Sequence, residues 1–274
     1  MAGELFELYL ANLGVLVVFM SFAAVPSFRT KDPSYVDAVW GLGFVVVAVV
    51  SATVGDASAV RTATLVGLAA VWGIRLATYL FARWRREGPD PRYRRMLGAQ
   101  PRNAVIWLRV FMLQAVVLSV VSLPLQVGQH ASTPSGLTPL NIAGVLLAVF
   151  GIAFESIADA QLRRFKADPA NRGRVMDTGL WRNSRHPNYF GEACTWWGIG
   201  LVAWTSAVTS VALIGPVVIT FFLLKVSGVG MLEHHLRKTK PAYVDYVATT
   251  SSFLPLPKRA ARPIDVATIP EARP

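Results

Sequence analysis

GLWRNSRHPNYFGEACTWWGIGL, residues 179–201, carries a cluster of basic and polar side chains straight into an apolar run, and that junction decides the fold. Pro187 suits the first turn of a helix, where its missing N–H has no partner to lose and its φ is already helical. A helix opening there puts Asn188 and Glu192 four apart on one face, with Trp196 and Gly200 further along it, and Tyr189 beside them. Arg182, Arg185 and His186 fall just outside, at the positive end of the helix dipole. An anion placed there meets backbone N–H groups, guanidinium forks and an imidazole together, as a phosphate or carboxylate ligand requires. A basic anchor to lipid headgroups accounts for the arginines, but not for a Glu and an Asn inside an apolar segment.

Outward from this junction, apolar runs of the roughly 20 residues needed to span a bilayer recur at residues 5–25, 36–54, 60–81, 104–127 and 140–158. Residues 189–230 suffice for two more, with a turn near 204–209. The composition agrees: 53% of the 274 residues are hydrophobic, against roughly 45–50%, glycine included, in soluble domains. The expected fold is all-α, a polytopic membrane protein of about seven transmembrane helices with a polar cofactor cavity open to the cytoplasm. No repeat or linker divides it, so one domain is expected over residues 1–258, followed by a Pro-, Ala- and Arg-rich disordered tail at 259–274.

The formal net charge is +11. The basic residues flank the apolar runs and form no solvated patch, so lipid headgroups, not nucleic acid, are the expected partners. Residues 83–102, 163–185 and 237–273 hold 21 of the 27 Lys and Arg. The positive-inside rule puts these segments in the cytoplasm, with the N-terminus outside and the C-terminus inside. The richness in Ala, Val and Arg points to a bacterial plasma membrane. The first apolar run follows Glu4 and lacks a basic flank, so it reads as a retained helix and not a signal peptide. Cys194, the one cysteine, excludes an internal disulfide and reads as a packing residue.

Ionisable groups inside spans are functional candidates, because an unpaired charge there costs at least ~2–3 kcal/mol. Asp37, Trp40 and Gly41 share a face of the second span. Trp72, Arg75, Tyr79 and Arg83 form one stripe in the third, and Glu155, Asp159 and Arg163 recur four apart at the end of the fifth. Glu233, His234, His235 and Arg237, then Tyr243 and Tyr246, follow the last span. These groups fall at one depth, on the side of Arg185 and His186, which implies a polar cavity. Lys166, Arg172 and Arg174, placed in a loop after Asp159, exceed what one carboxylate needs, so the ligand is multiply charged, as a nucleotide is. Neither GxGxxG nor GxxxxGK[ST] occurs, so helix ends and loops must build the site. His130 stands apart from the other three histidines and no HExxH is present, so no catalytic metal is expected.

The block at 179–192 with WWGIGL at 196–201, ADAQLRRF at 158–165, LEHHLRK at 232–238, AYVDY at 242–246 and TTSSFLP at 249–255 resembles the bacterial DUF1295 proteins. DPSYVDAVWGLGF at 32–44 and GPDPRY at 88–93 fit the same family, so the likeness runs from about residue 30 to 256. DUF1295 proteins look like the steroid 5-alpha-reductase superfamily of membrane reductases, which implies a seven-helix fold binding NADPH from the cytoplasm. By that resemblance Asn188 and Glu192 contact the nicotinamide half, with Glu155, Asp159 and Arg163 lining the same pocket. Lys166 and Arg174 neutralise phosphates, His234 or His235 and Tyr246 close the pocket, and Arg75 and Arg83 reach in from the third span.

The pattern departs where the animal steroid reductases carry their chemistry. Trp72 stands near the position of the proton-donating tyrosine, and Asp37 and Trp40 occupy the span that carries a Gln-Glu pair in those enzymes. Tyr79 and Asp37 are then the candidate proton donors, with Glu192 as a catalytic candidate. RHPxYxG, met here at 185–191, also resembles isoprenylcysteine carboxyl methyltransferases, which bind S-adenosylmethionine. The arginines favour NADPH. The expected activity is reduction of a polarised C=C bond in a lipid- or steroid-like substrate. A methyltransferase and a non-catalytic lipid-binding protein are the alternatives.

Overall fold

The computed structural model describes residues 2–226 and 243–258. His234, His235, Glu233 and Arg237, and the tail expected at 259–274, lie outside the described residues. No strand occurs among the described residues. Among the described residues six helices are long and apolar enough to cross a membrane, and the chain is an all-helical, polytopic membrane protein. They are α1 (Ala2–Thr30), α2 (Val36–Val54), α3 (Ala59–Glu87), α5 (Asn103–Val121), α7 (Pro139–Ala167) and α9 (Val208–Lys225). Short helices α4 (Pro91–Leu97), α6 (Leu123–Gln129) and α10 (Tyr243–Thr249) fill the intervals. The seventh expected helix is α8 (Pro187–Ala203), opening at Pro187. Its 17 residues rise about 26 Å, a little short of a hydrocarbon core of roughly 30 Å.

Two expectations shift. The run at 104–127 divides after Val121, because Pro124 has no N–H to continue the ladder, and Leu123–Gln129 becomes a separate helix. The run at 140–158 extends to Ala167, so Lys166 belongs to the helix and not to a loop. Glu155, Asp159, Arg163 and Lys166, spaced 4, 4 and 3, therefore share one face of α7.

By its contacts the chain falls into two compact units: residues 1–152 with 193–221, and residues 153–192 with 222–274. The first is a bundle in which helices approach at glycines. A Cβ on Gly41 of α2 would lie 2.6 Å from the carbonyl oxygen of Gly73 on α3, and one on Gly198 of α8 would lie 2.5 Å from that of Gly144 on α7. Small residues let helix backbones meet closely where lipid offers no hydrophobic drive to associate. Polar side chains add bonds across the same bundle. The Asn12 amide donates to Ser51 Oγ at 3.1 Å, and Gln129 Nε2 to the Ala48 carbonyl at 2.9 Å. Arg61, fully buried, donates to the carbonyls of Ala131, Pro134 and Gly136 at 2.6, 3.0 and 3.2 Å, fixing the segment before α7.

Candidate functional site

In the second unit the RHPN block is held by the segment that follows the last span. The Tyr246 hydroxyl donates to the carbonyls of Trp181 and Ser184. Ser184 Oγ donates to the Phe253 carbonyl at 2.8 Å, the Arg185 N–H to that of Ser251 at 2.9 Å, and the Leu256 N–H to that of Asn183 at 2.9 Å. The Arg185 guanidinium donates to the carbonyls of Val247 and Thr250, acceptors that the end of α10 leaves without helical donors. Arg185 and Tyr246, expected at the cofactor, thus tie 243–256 to 181–186. Trp181 Nε1 donates to the Ala158 carbonyl at 3.0 Å, and Gln161 Oε1 accepts from the Leu180 N–H at 2.9 Å, which seats the block on α7.

Held this way, the start of α8 carries a buried polar group of side chains. Glu155, Asp159, His186 and Glu192 are between 2% and 7% exposed. Asn188 Nδ2 donates to Asp159 Oδ1 at 3.3 Å, while Asn188 Oδ1 is buried with no hydrogen-bond partner. The rings of His186 and Tyr189 stack in parallel, 5.3 Å apart. Arg163, Lys166 and Arg174 are exposed. The structure therefore brings Asn188 and Asp159 into contact, puts Glu155 on the same face of α7, and gives Arg185 a structural bond set. The described residues contain no group of three His, Cys, Asp or Glu able to hold a metal.

The first unit holds Asp37, Arg75, Tyr79 and Arg83, the last three on one face of α3 as expected. Arg92 and Tyr93 are partners of Asp37 that its sequence context did not suggest. Tyr93 donates to Asp37 Oδ1 at 2.8 Å, and Arg92 pairs with Asp37 Oδ2 at 3.3 Å and with Asp90 at 2.8 Å. Asp90 caps α4 by accepting from the Arg92 N–H at 2.8 Å, ahead of Pro91 in the first turn. Burial alone would raise the Asp90 carboxyl, but the hydrogen bonds and charge of Arg92 hold it below the usual carboxylate range. Burial, then the Asp37 charge, pushes the Tyr93 hydroxyl well above its ordinary value.

Below Asp37, Trp40, Phe44, Trp72 and Trp196 form an aromatic cluster, with the Phe44 and Trp196 rings 4.4 Å apart and Trp72 and Trp196 at 5.2 Å. The Trp40 and Trp196 Nε1 atoms are buried with no acceptor. An indole N–H normally finds a partner when buried, and here two donors of one cluster are left without one.

The model of a family described as "Protein of unknown function (DUF1295)" matches residues 24–250. The chain belongs to the DUF1295 family. The match takes in both of the arrangements above, from Asp37 and the GPDPRY turn to the RHPN block and Tyr246. No curated protein matches this DUF1295 chain.

Proposed function

We propose that this protein is a membrane-embedded, NADPH-dependent reductase of a polarised carbon–carbon double bond in a lipid- or steroid-like substrate, with its N-terminus outside and its C-terminus in the cytoplasm of a bacterial plasma membrane. The observation that carries the reading is Asn188. Its amide is fixed by Asp159 while Oδ1, buried, lacks a donor. A primary carboxamide such as that of nicotinamide supplies the missing N–H, and a buried acceptor left unfilled costs about 1–3 kcal/mol. Arg163, Lys166 and Arg174, exposed cations of the same unit, suit the pyrophosphate and 2′-phosphate.

When bound, NADPH supplies a hydride to the β-carbon of the double bond, and a proton completes the reduction at the α-carbon. The residues orient the partners: Asn188 holds the carboxamide, Glu192 lies one turn on along α8, and the cations fix the phosphates. In the first unit the Trp40 and Trp196 N–H groups suit a substrate carbonyl, whose polarisation activates the double bond. Asp37 is engaged by both Tyr93 and Arg92, which leaves Tyr79 as the preferred proton donor.

The buried carboxylates also support a second reading. An α-ammonium group, as in S-adenosylmethionine, would satisfy Asn188 Oδ1 and sit well beside Asp159. Thermal shift and calorimetry on detergent-purified protein with NADPH, NADH and S-adenosylmethionine separate the two. The reductase reading expects stabilisation by NADPH over NADH, lost in Arg174→Ala. Binding of S-adenosylmethionine alone would replace it with a methyltransferase. Binding of neither would leave a lipid-binding protein without chemistry.

A further inference from the structure

Arg109 lies six residues into α5, about 9 Å along the helix, and is exposed. Its neighbour Leu108 is 61% exposed and Leu113, one turn on, 56%, so this side of the span faces lipid. A guanidinium keeps its charge, and a charge within a span takes a partner. Among the described residues the Arg109 side chain makes no hydrogen bond and no ion pair, and the same holds for the side chains of the exposed Arg29 and Arg102.

These three arginines gather at one end of the first unit. Arg102 is the N-cap of α5, two turns before Arg109. Arg29 is in the last turn of α1, which packs on α5, and Lys31 just beyond it donates to Asn103 Oδ1 at 2.6 Å. The carboxylates at this end are engaged elsewhere. Asp32 accepts from the Ser34 N–H at 2.9 Å and from Trp84 Nε1 at 3.1 Å, and Asp37 and Asp90 take Arg92. Along α1, the exposed Val18, Phe22 and Val25 are spaced 4 and 3 and lead, four residues on, to Arg29, so one lipid-facing stripe ends in a cation.

We propose that Arg29, Arg102 and Arg109 form a binding site for the phosphate of an anionic phospholipid, whose acyl chains lie along the apolar surfaces of α1 and α5. Ordinary snorkelling of one arginine would meet any headgroup equally. Three cations without a carboxylate select for a net negative lipid, by about five-fold per basic residue.

The test uses the full chain in nanodiscs of phosphatidylcholine with graded phosphatidylglycerol, counting retained lipids by native mass spectrometry after release into detergent. The wild type is expected to retain phosphatidylglycerol selectively. R109Q should lower that preference about five-fold and R109K should keep it, while R95Q, an exposed arginine of α4, should not change it. R109Q alters a lipid-facing side chain and should leave thermal unfolding unchanged; if it does not fold, R102Q reads the same site. Equal retention of both lipids, or an R109Q and R102Q preference equal to wild type, overturns the proposal. Inorganic phosphate, titrated into delipidated protein, distinguishes the sources. Stabilisation by phosphate that R109Q abolishes, without lipid selectivity, would mean a free-anion site and would also overturn the lipid assignment.

Discussion

Replacing Tyr246 with Phe tests what holds the RHPN block. The hydroxyl is buried and donates to the carbonyls of Trp181 and Ser184. Phe fills the same space, so no cavity forms and the cost is the lost bond plus an acceptor left dry, about 2 kcal/mol. For a chain of this size that corresponds to a fall in Tm of about 4–8 °C. Five other bonds join 243–256 to 183–185, so loosening should be local. Thermal unfolding of the purified protein gives the global cost, and amide exchange should show residues 246–256 opening sooner than α2 or α3. A Tm within 1 °C of wild type, with unchanged exchange, would refute the staple. If that variant nevertheless lost NADPH binding, the hydroxyl would belong to the cofactor pocket.

Gly198→Ala places a Cβ against the Gly144 carbonyl and the backbone of Ala148; since both neighbours are backbone, the helices must part, and the loss of stability should reach or exceed the usual 1–3 kcal/mol of overpacking, read as a lower Tm than for Gly67→Ala, where a Cβ meets open space. The Asp90 carboxyl is held below its ordinary value by Arg92, so its contribution is present above pH about 4 and is lost as pH falls through the folded-state value. Asp90→Asn should therefore lower Tm at pH 7 and flatten its fall on acidification, and parallel wild-type and variant curves between pH 7 and 3 would count against the cap.

How much of this was legible in the sequence follows from what each feature depends on. Span positions rest on local hydropathy, and α2 runs over residues 36–54 as read. Pro187 marked the start of α8 because its ring fixes φ whatever surrounds it. The face shared by Glu155, Asp159 and Arg163 needed only the period of the helix, and its extension to Lys166 was missed because polar residues at a helix end look like a loop. Arg185 shows the limit. Its sequence context, at a helix N-terminus among other cations, favours an anion, yet the guanidinium is spent on carbonyls of a segment some sixty residues away. The partners of Asp37 are as distant, although Asp90-Pro91 is a recognisable cap that fixes the place of the two residues after it.

The unfilled atoms are the least legible of all, and they carry most of the functional reading. In sequence Asn188 stands out as a polar group in an apolar segment, while Trp40 and Trp196 look like ordinary members of helix faces; that Nε1 or Oδ1 lacks a partner is a property of every neighbour at once. Their signs also differ. The first unit presents donors among aromatic rings, matched by an uncharged, oxygen-bearing apolar molecule, and the second presents an acceptor beside carboxylates, matched by a ligand rich in N–H. A protein holding only lipid would need the first and has no use for the second. A methyltransferase acting on a carboxylate would set the two unfilled indole N–H groups of the Trp40, Phe44, Trp72 and Trp196 cluster against a charged substrate, at a desolvation cost that N–H donors repay poorly. A neutral carbonyl would meet the demand of the first unit and a carboxamide that of the second, each without burying a new charge, and it is on this ground that the reductase is the reading proposed.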